Sequence, residues 1–179
     1  KITIFNSLPS AQVEISFENV QLDDTNIIAS GEEAIELVNK TINLATLCIC
    51  AEAVGCMESC YTKTLEYTKG REQFGQPISS FQVLQHRMVD MFIESELAKS
   101  LLIKAMLEVN NNSEDMTKHV SALKSYIGKA GKISAQDAVQ MHGGMGVSEE
   151  MMIGHYLKKM ISIDALFGNS DFHLKNISN

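Results

Sequence analysis

Two different periods run along this chain. Over residues 13–20, Val13-Glu14-Ile15-Ser16-Phe17-Glu18-Asn19-Val20, apolar and polar positions alternate, the period of a half-buried strand. Ile2 and Ile4, followed by the turn-like Asn6-Ser7-Leu8-Pro9-Ser10, predict an earlier strand and a connection. Two strands alone are marginal in water, so residues 1–28 are expected to be the end of a β domain whose remainder precedes them. The opening Lys1-Ile2-Thr3-Ile4-Phe5 has neither a Met nor a signal-peptide layout, which fits a piece of a longer chain.

From Ser30 the period becomes that of a helix. Ser30 and Glu33 form a capping-box pattern, in which the hydroxyl bonds a free backbone N–H and the carboxylate reaches back. Apolar residues then recur through Leu37, Leu44, Leu47, Ala51 and Val54 to Tyr67, predicting a helix of about ten turns that ends near Gly70. After the link Gly75-Gln76-Pro77-Ile78-Ser79-Ser80, with Ser79 or Ser80 as N-cap, a second helix carries Phe81, Leu84, Met88, Met91, Leu97 and Leu101 toward Val109. Asn110-Asn111-Asn112-Ser113 is a loop by composition. A third helix is expected over 116–141, stopping at Gly143-Gly144, and a fourth over 149–166, with a further break at Gly168. Long amphipathic helices with short links predict an all-α antiparallel four-helix bundle over 29–179, preceded by a β-hairpin remnant over 1–28.

Composition narrows the partners. Fifteen Lys and Arg against 22 acidic residues give a net charge of -7, which argues against nucleic acid or an anionic membrane. No uninterrupted apolar run approaches the roughly 20 residues that span a bilayer. Cys48, Cys50, Cys56 and Cys60 all fall in the first predicted helix, where only Cys56 and Cys60 share a face. They read as small packing residues of a cytoplasmic protein. His86, His119, His142 and His155 lack metal-ligand spacing, so no metal is expected, and His173 reads as a surface residue near the chain end.

Two segments carry candidate chemistry. In the first, Tyr67-Thr68-Lys69-Gly70-Arg71-Glu72-Gln73-Phe74-Gly75-Gln76-Pro77-Ile78 with Phe81-Gln82, Arg71 has two readings. It can cap helix carbonyls, or its planar fork can pair with a phosphate. Phe74 can anchor the link on the core or lie against a flat ring, with Gln73 and Gln82 bonding the polar edge of that ring. In the second, Val139-Gln140-Met141-His142-Gly143-Gly144-Met145-Gly146-Val147, the glycines can stop a helix or admit a ligand close to the backbone, with Gln140 as a donor. A dinucleotide fingerprint is excluded, because a helix precedes the glycines where that motif needs a strand.

Together these segments resemble the acyl-CoA dehydrogenase family, whose C-terminal domain carries "R-x-x-F-G-x-x-(I/L)" and then "Q-x-x-G-G-x-G". The resemblance implies FAD held across a subunit interface. Arg71, Gln73, Phe74 and Gln82 would face the FAD of one active site, and Gln140, Gly143 and Gly144 that of the neighbouring subunit. It further implies an acyl-CoA substrate, an electron-transferring flavoprotein as acceptor, and either a dimer of dimers or pairing with a homologous large subunit.

The resemblance breaks at the catalytic base. In the family a glutamate removes the α-proton while hydride passes from the β-carbon to the flavin. Most members carry it in a "Y-E-G" segment, which here reads Leu166-Phe167-Gly168, so Phe167 stands in its place. A minority carry it on the first helix, where Ala45 stands. Glu52 and Asp164 are the nearby carboxylates that would substitute; Glu150 looks structural. Asn43 and Thr46 replace acidic and basic residues often found on that helix. The ending Leu166-Phe167-Gly168-Asn169-Ser170-Asp171-Phe172-His173-Leu174 resembles a bacterial subgroup that includes the small subunit of pimeloyl-CoA dehydrogenase, in which unlike subunits pair. The expectation is an FAD-binding subunit of an acyl-CoA dehydrogenase that needs a partner for the base. The alternative is an assembly module without turnover. Alone, this stretch of chain is expected to be inert and to bind FAD weakly or not at all.

Overall fold

The computed structural model describes residues 2–7 and 10–178. The chain divides into two compact units, Lys1–Ile42 and Asn43–Asn179. In the first unit, β1 (Ile2–Ser7) and β2 (Ser10–Ile15) pair antiparallel, with Ile2 opposite Ile15 and Ser7 opposite Ser10. The hairpin was legible, but its second strand lies earlier than the alternation over 13–20 predicts. The pairing of Ser7 with Ser10 sets the register, so β2 runs out of partner residues at Ile15, opposite Ile2. Phe17 and Val20 are left exposed. Leu8 and Pro9 of the expected turn lie outside the described residues.

A short 3-10 turn, Asp24–Asn26, follows, capped by the Asp23 carboxylate accepting from Thr25 N at 3.0 Å. The helix α1 (Gly31–Gly70) then opens on Gly31 at φ +61. That angle is incompatible with a Ser30 capping box, whose first helical residue needs helical φ. The first turns of α1 belong to this unit and leave Ile35, Leu37 and Val38 exposed.

The second unit is built on the rest of α1 with α2 (Gln82–Asn110), α3 (Met116–His142) and α4 (Met152–Ala165). Cross-contacts fix the directions. The Tyr61 ring meets Phe92, and Thr68 Oγ1 lies 3.2 Å from Met88 Sδ. Arg87 pairs with Asp137 at 3.0 Å, and the Tyr126 hydroxyl donates to Glu94. Lys124 Nζ reaches the Asp164 carbonyl at 3.0 Å, and Lys159 reaches Glu52 at 2.8 Å. Moving along one helix moves the partner backward along the next (Tyr61 with Phe92 but Thr68 with Met88, Arg87 with Asp137 but Glu94 with Tyr126), and Lys124 early in α3 meets Asp164 late in α4, so sequential neighbours run antiparallel. By contrast, Asn43 bonds Thr117 and Tyr67 stacks on His142, so α1 and α3 run parallel across the bundle. This is the predicted antiparallel bundle, and its core is closed by Met57, Met91, Leu123, Ile127, Met160 and Ile163.

Five details depart from expectation. A fifth helix, α5 (Ser170–Ser178), follows the break at Gly168; Asn169 Oδ1 caps it by accepting from Phe172 N at 2.9 Å. The N-cap of α2 is Phe81, because Ser80 donates instead to the Pro77 carbonyl at 2.7 Å within the 3-10 turn Ile78–Ser80. Cys48 is exposed, although Cys50, Cys56 and Cys60 are buried as packing residues, and burial pushes the Cys50 and Cys60 thiols up to about 12. His173 is buried, not on the surface. Finally, a window within Asp24–Gly70 reaches a mean hydropathy of 1.3, long and apolar enough to cross a membrane by length and composition alone. Counting uninterrupted runs missed it, because Asn and Thr interrupt it. Its Cys50, Ala53 and Val54 pack into the bundle core.

Candidate functional site

The first segment leaves α1 at Gly70 and folds into a minimal hairpin, β3 (Glu72–Gln73) with β4 (Gln76–Pro77), closed by Ile78 N donating to the Arg71 carbonyl at 2.8 Å. Its two-residue turn is Phe74-Gly75, with φ of 57° and 77°. Two positive φ values are the mark of a type I′ turn, which favours Asn-Gly. A bulky residue at the first position is strained, by about 1–3 kcal/mol. Burial does not offset this, since Phe74 is 91% exposed, with the Phe81 ring edge-on at 6.0 Å. The turn therefore holds an aromatic ring out in solvent against a backbone cost. Arg71 beside it is exposed and makes no ion pair among the described residues. Gln73 Nε2 donates to the Glu72 carbonyl at 2.6 Å, and Gln82 is exposed at the start of α2.

In the second segment α3 ends on Gly143 at φ 59°, ψ -138°, a conformation that only glycine adopts readily. A 3-10 turn, Gly143–Val147, follows. A Cβ on Gly146 would lie 2.6 Å from the Val139 carbonyl, so the turn folds back tightly on α3. At Gly143 and Gly144 a Cβ would meet nothing within 4 Å, which leaves the backbone open to an approaching ligand. Gln140 is exposed one turn earlier.

Tyr67 and His142 join the two segments. Their rings stack at 4.2 Å between centroids, and the Tyr67 hydroxyl lies 3.4 Å from the His142 carbonyl it donates to. Tyr67 stands one turn before Arg71, and His142 adjoins Gly143. The parallel run of α1 and α3 thus brings both segments to one end of the bundle. The sequence could not show this, because it depends on tertiary packing.

The positions of the expected base lie elsewhere. Phe167 follows the far end of α4, and the 14 residues of that helix span about 20 Å. Ala45, half-buried, lies toward the same far end on α1. Of the substitutes, Glu52 is paired with Lys159, and Asp164 Oδ1 accepts from Ser170 N at 3.0 Å. Neither carboxylate stands free. Two buried groups here escaped the sequence reading: Lys124, fully buried, and His173.

Burial disfavours the charged form of both buried histidines. Burial pushes the imidazoles of His142 and His173 below their usual 6.5; hydrogen bonds to the Ala138 and Phe167 carbonyls only partly oppose this. Released by unfolding, each would bind a proton more readily. Stability from these groups is therefore complete above about pH 6.5 and is expected to fall as the pH drops below it. Urea midpoints measured from neutral pH downward check this; midpoints flat through that window would contradict it.

Fold and site together define a helical-bundle domain with both motif segments at one end. The family description "Acyl-CoA dehydrogenase, C-terminal domain" matches residues 35–179, and the chain belongs to that family. Probable acyl-CoA dehydrogenase YngJ of Bacillus subtilis is 30% identical over 149 residues, covering 83% of this chain and 39% of that protein. Acyl-CoA dehydrogenase IpdE2 of Mycolicibacterium smegmatis is 31% identical over 124 residues, 69% of this chain and 38% of that one. Among solved structures, butyryl-CoA dehydrogenase from Megasphaera elsdenii superposes with a TM-score of 0.93 at 21% identity, over 99% of this chain and 47% of that one. PigA with FAD and proline superposes at 0.86 and 24% identity, over 99% and 48%. The chain thus spans about two fifths of the length of the curated relatives it matches.

Proposed function

We propose that this chain is the FAD-binding and assembly domain of an acyl-CoA dehydrogenase subunit, which takes part in α,β-dehydrogenation of an acyl-CoA thioester. In this reading the catalytic base comes from a homologous partner subunit. The observation that carries it is the strained, solvent-held Phe74 beside an unpaired Arg71, next to an open glycine backbone. A scaffold alone has no use for that arrangement, which speaks against an assembly module without turnover.

The residues present fit a dinucleotide. Arg71 would hold a phosphate through two parallel donors, and Phe74 would lie along a flat ring. Gln73, Gln82 and Gln140 would bond polar edges, while Gly143 and Gly144 let the backbone come close. The Tyr67–His142 stack makes the two segments neighbours, which supports a single FAD meeting both; the resemblance gives them to the FADs of two active sites. When bound, FAD supplies the hydride acceptor. An electron-transferring flavoprotein would then reoxidise it, in the cytoplasm.

The base is the missing part. Phenylalanine and alanine have no proton to exchange, and Glu52 and Asp164 are already engaged. A carboxylate from a partner supplies what this chain lacks, as in the subgroup with unlike subunits.

Two substitutions in the full-length protein test the binding half of this reading. Arg71→Ala is expected to weaken FAD binding about tenfold or more, since a charge-assisted pair contributes roughly 1.5–3 kcal/mol. Phe74→Gly is expected to weaken FAD yet raise stability by about 1 kcal/mol, by removing the positive-φ strain. Equilibrium dialysis and urea unfolding measure the pair. Unchanged FAD affinity in both variants would sink the assignment.

A further inference from the structure

The end of α4 and the start of α5 meet in an elbow, Leu166-Phe167-Gly168-Asn169, that carries two consecutive positive φ values, Phe167 at 54° and Gly168 at 96°. Glycine tolerates this; phenylalanine does not, and it must be held there. Buried side chains from α3 and α5 surround the elbow. Lys124 Nζ donates to the Asp164 carbonyl just before it at 3.0 Å and to the Gly168 carbonyl within it at 2.7 Å. His173 Nε2 donates to the Phe167 carbonyl between them at 3.0 Å, and its Nδ1 accepts from the Ser121 hydroxyl at 3.0 Å. Asp164 Oδ1 accepts from Ser170 N at 3.0 Å, tying the end of α4 to the start of α5. A Cβ on Gly128 would collide with the Asp164 carboxylate, so α3 is also shaped for this joint.

We propose that Lys124, with His173, is a positioning residue: together they clamp the Asp164, Phe167 and Gly168 carbonyls and force residue 167 into the left-handed conformation whatever side chain it bears. Three carbonyls are gathered by two donors that the bundle itself supplies. Lys124 comes from the most buried helix, and the neutral His173 has one tautomer compatible with its two partners. The conformation of residue 167 is thereby set from behind, by main-chain bonds, and its side chain is left half-exposed. Under the proposed function this fixes where the residue in the place of the base stands. The clamp itself can be tested without that reading.

The test compares Phe167→Gly with Phe167→Ala, each with Lys124 and with Lys124→Met, in the full-length protein. Both substitutions remove the ring, so their difference reports the backbone alone. With Lys124 present, glycine is expected to be favoured over alanine by about fivefold in the unfolding constant, as a positive φ demands. In Lys124→Met that advantage is expected to vanish or reverse, because alanine is favoured once φ turns negative. Should Lys124→Met fail to fold, His173→Leu replaces it, with the same loss expected. NMR of the unaltered protein should also show the His173 ring neutral with its proton on Nε2. Alanine as good as glycine beside Lys124, an undiminished glycine advantage without the clamp, or a proton on Nδ1 would each overturn the proposal.

Discussion

Lys124→Ala in the full-length protein is expected to lower stability by about 3–5 kcal/mol. Lys124 is fully buried, and its ammonium stays inside only because the Asp164 and Gly168 carbonyls accept from it. Burial pulls its pKa below the ordinary lysine value, a pull that the nearby Cys50 and Asp164 oppose. Truncation leaves two carbonyls without donors, each costing about 1–3 kcal/mol, and opens a cavity where the side chain stood. Urea unfolding at neutral pH measures it as a fallen midpoint with an unchanged slope. A loss under about 1 kcal/mol would mean that water replaces the ammonium at no penalty, and the elbow would then not depend on it.

Phe167→Glu is expected to have the largest effect on chemistry. The elbow sets the backbone of residue 167 independently of its side chain, so a glutamate there would start from the same conformation. Beside a bound flavin, desolvation would raise the pKa of the carboxylate toward the working range, the condition for a general base. Positioned general bases contribute about 10²–10⁴-fold. An acyl-CoA that already perturbs the flavin spectrum of the full-length protein should therefore reduce that flavin at least about 100-fold faster in the variant. Stopped-flow absorbance under anaerobic conditions reads this directly. If the flavin is perturbed equally but reduced no faster, position 167 is not where the proton is removed. If no acyl-CoA perturbs the flavin at all, the fault lies with the proposed function.

The long helices were legible because each has an unbroken helical period and a marked end. The third was expected over 116–141 and spans Met116–His142, since Gly143 is a stop that only glycine can form. The fifth helix was missed because Gly168 read as a terminus, although Asn169-Ser170-Asp171 is an N-cap sequence that should have reopened the question. The second strand was misplaced because alternation shows which faces could be buried. It does not show where a partner strand ends. At the site, the motifs named the candidate residues, whereas the relation between the two segments came from packing. Tyr67 and His142, which adjoin the two motifs, are far apart in sequence and meet through the parallel run of α1 and α3. Lys124 was invisible for a plainer reason. A lysine in a helix reads as solvated, and only the fold shows its head group buried against carbonyls. His173 was misread on the same ground.

As proposed, this subunit holds a flavin but lacks its own base. The full-length protein, purified alone and mixed anaerobically with a panel of acyl-CoAs, tests it through the flavin absorbance. The expected result is a bound flavin whose spectrum shifts with an acyl-CoA but does not bleach until a homologous subunit carrying the glutamate is added. Bleaching by the protein alone would contradict it and turn attention back to Glu52 and Asp164.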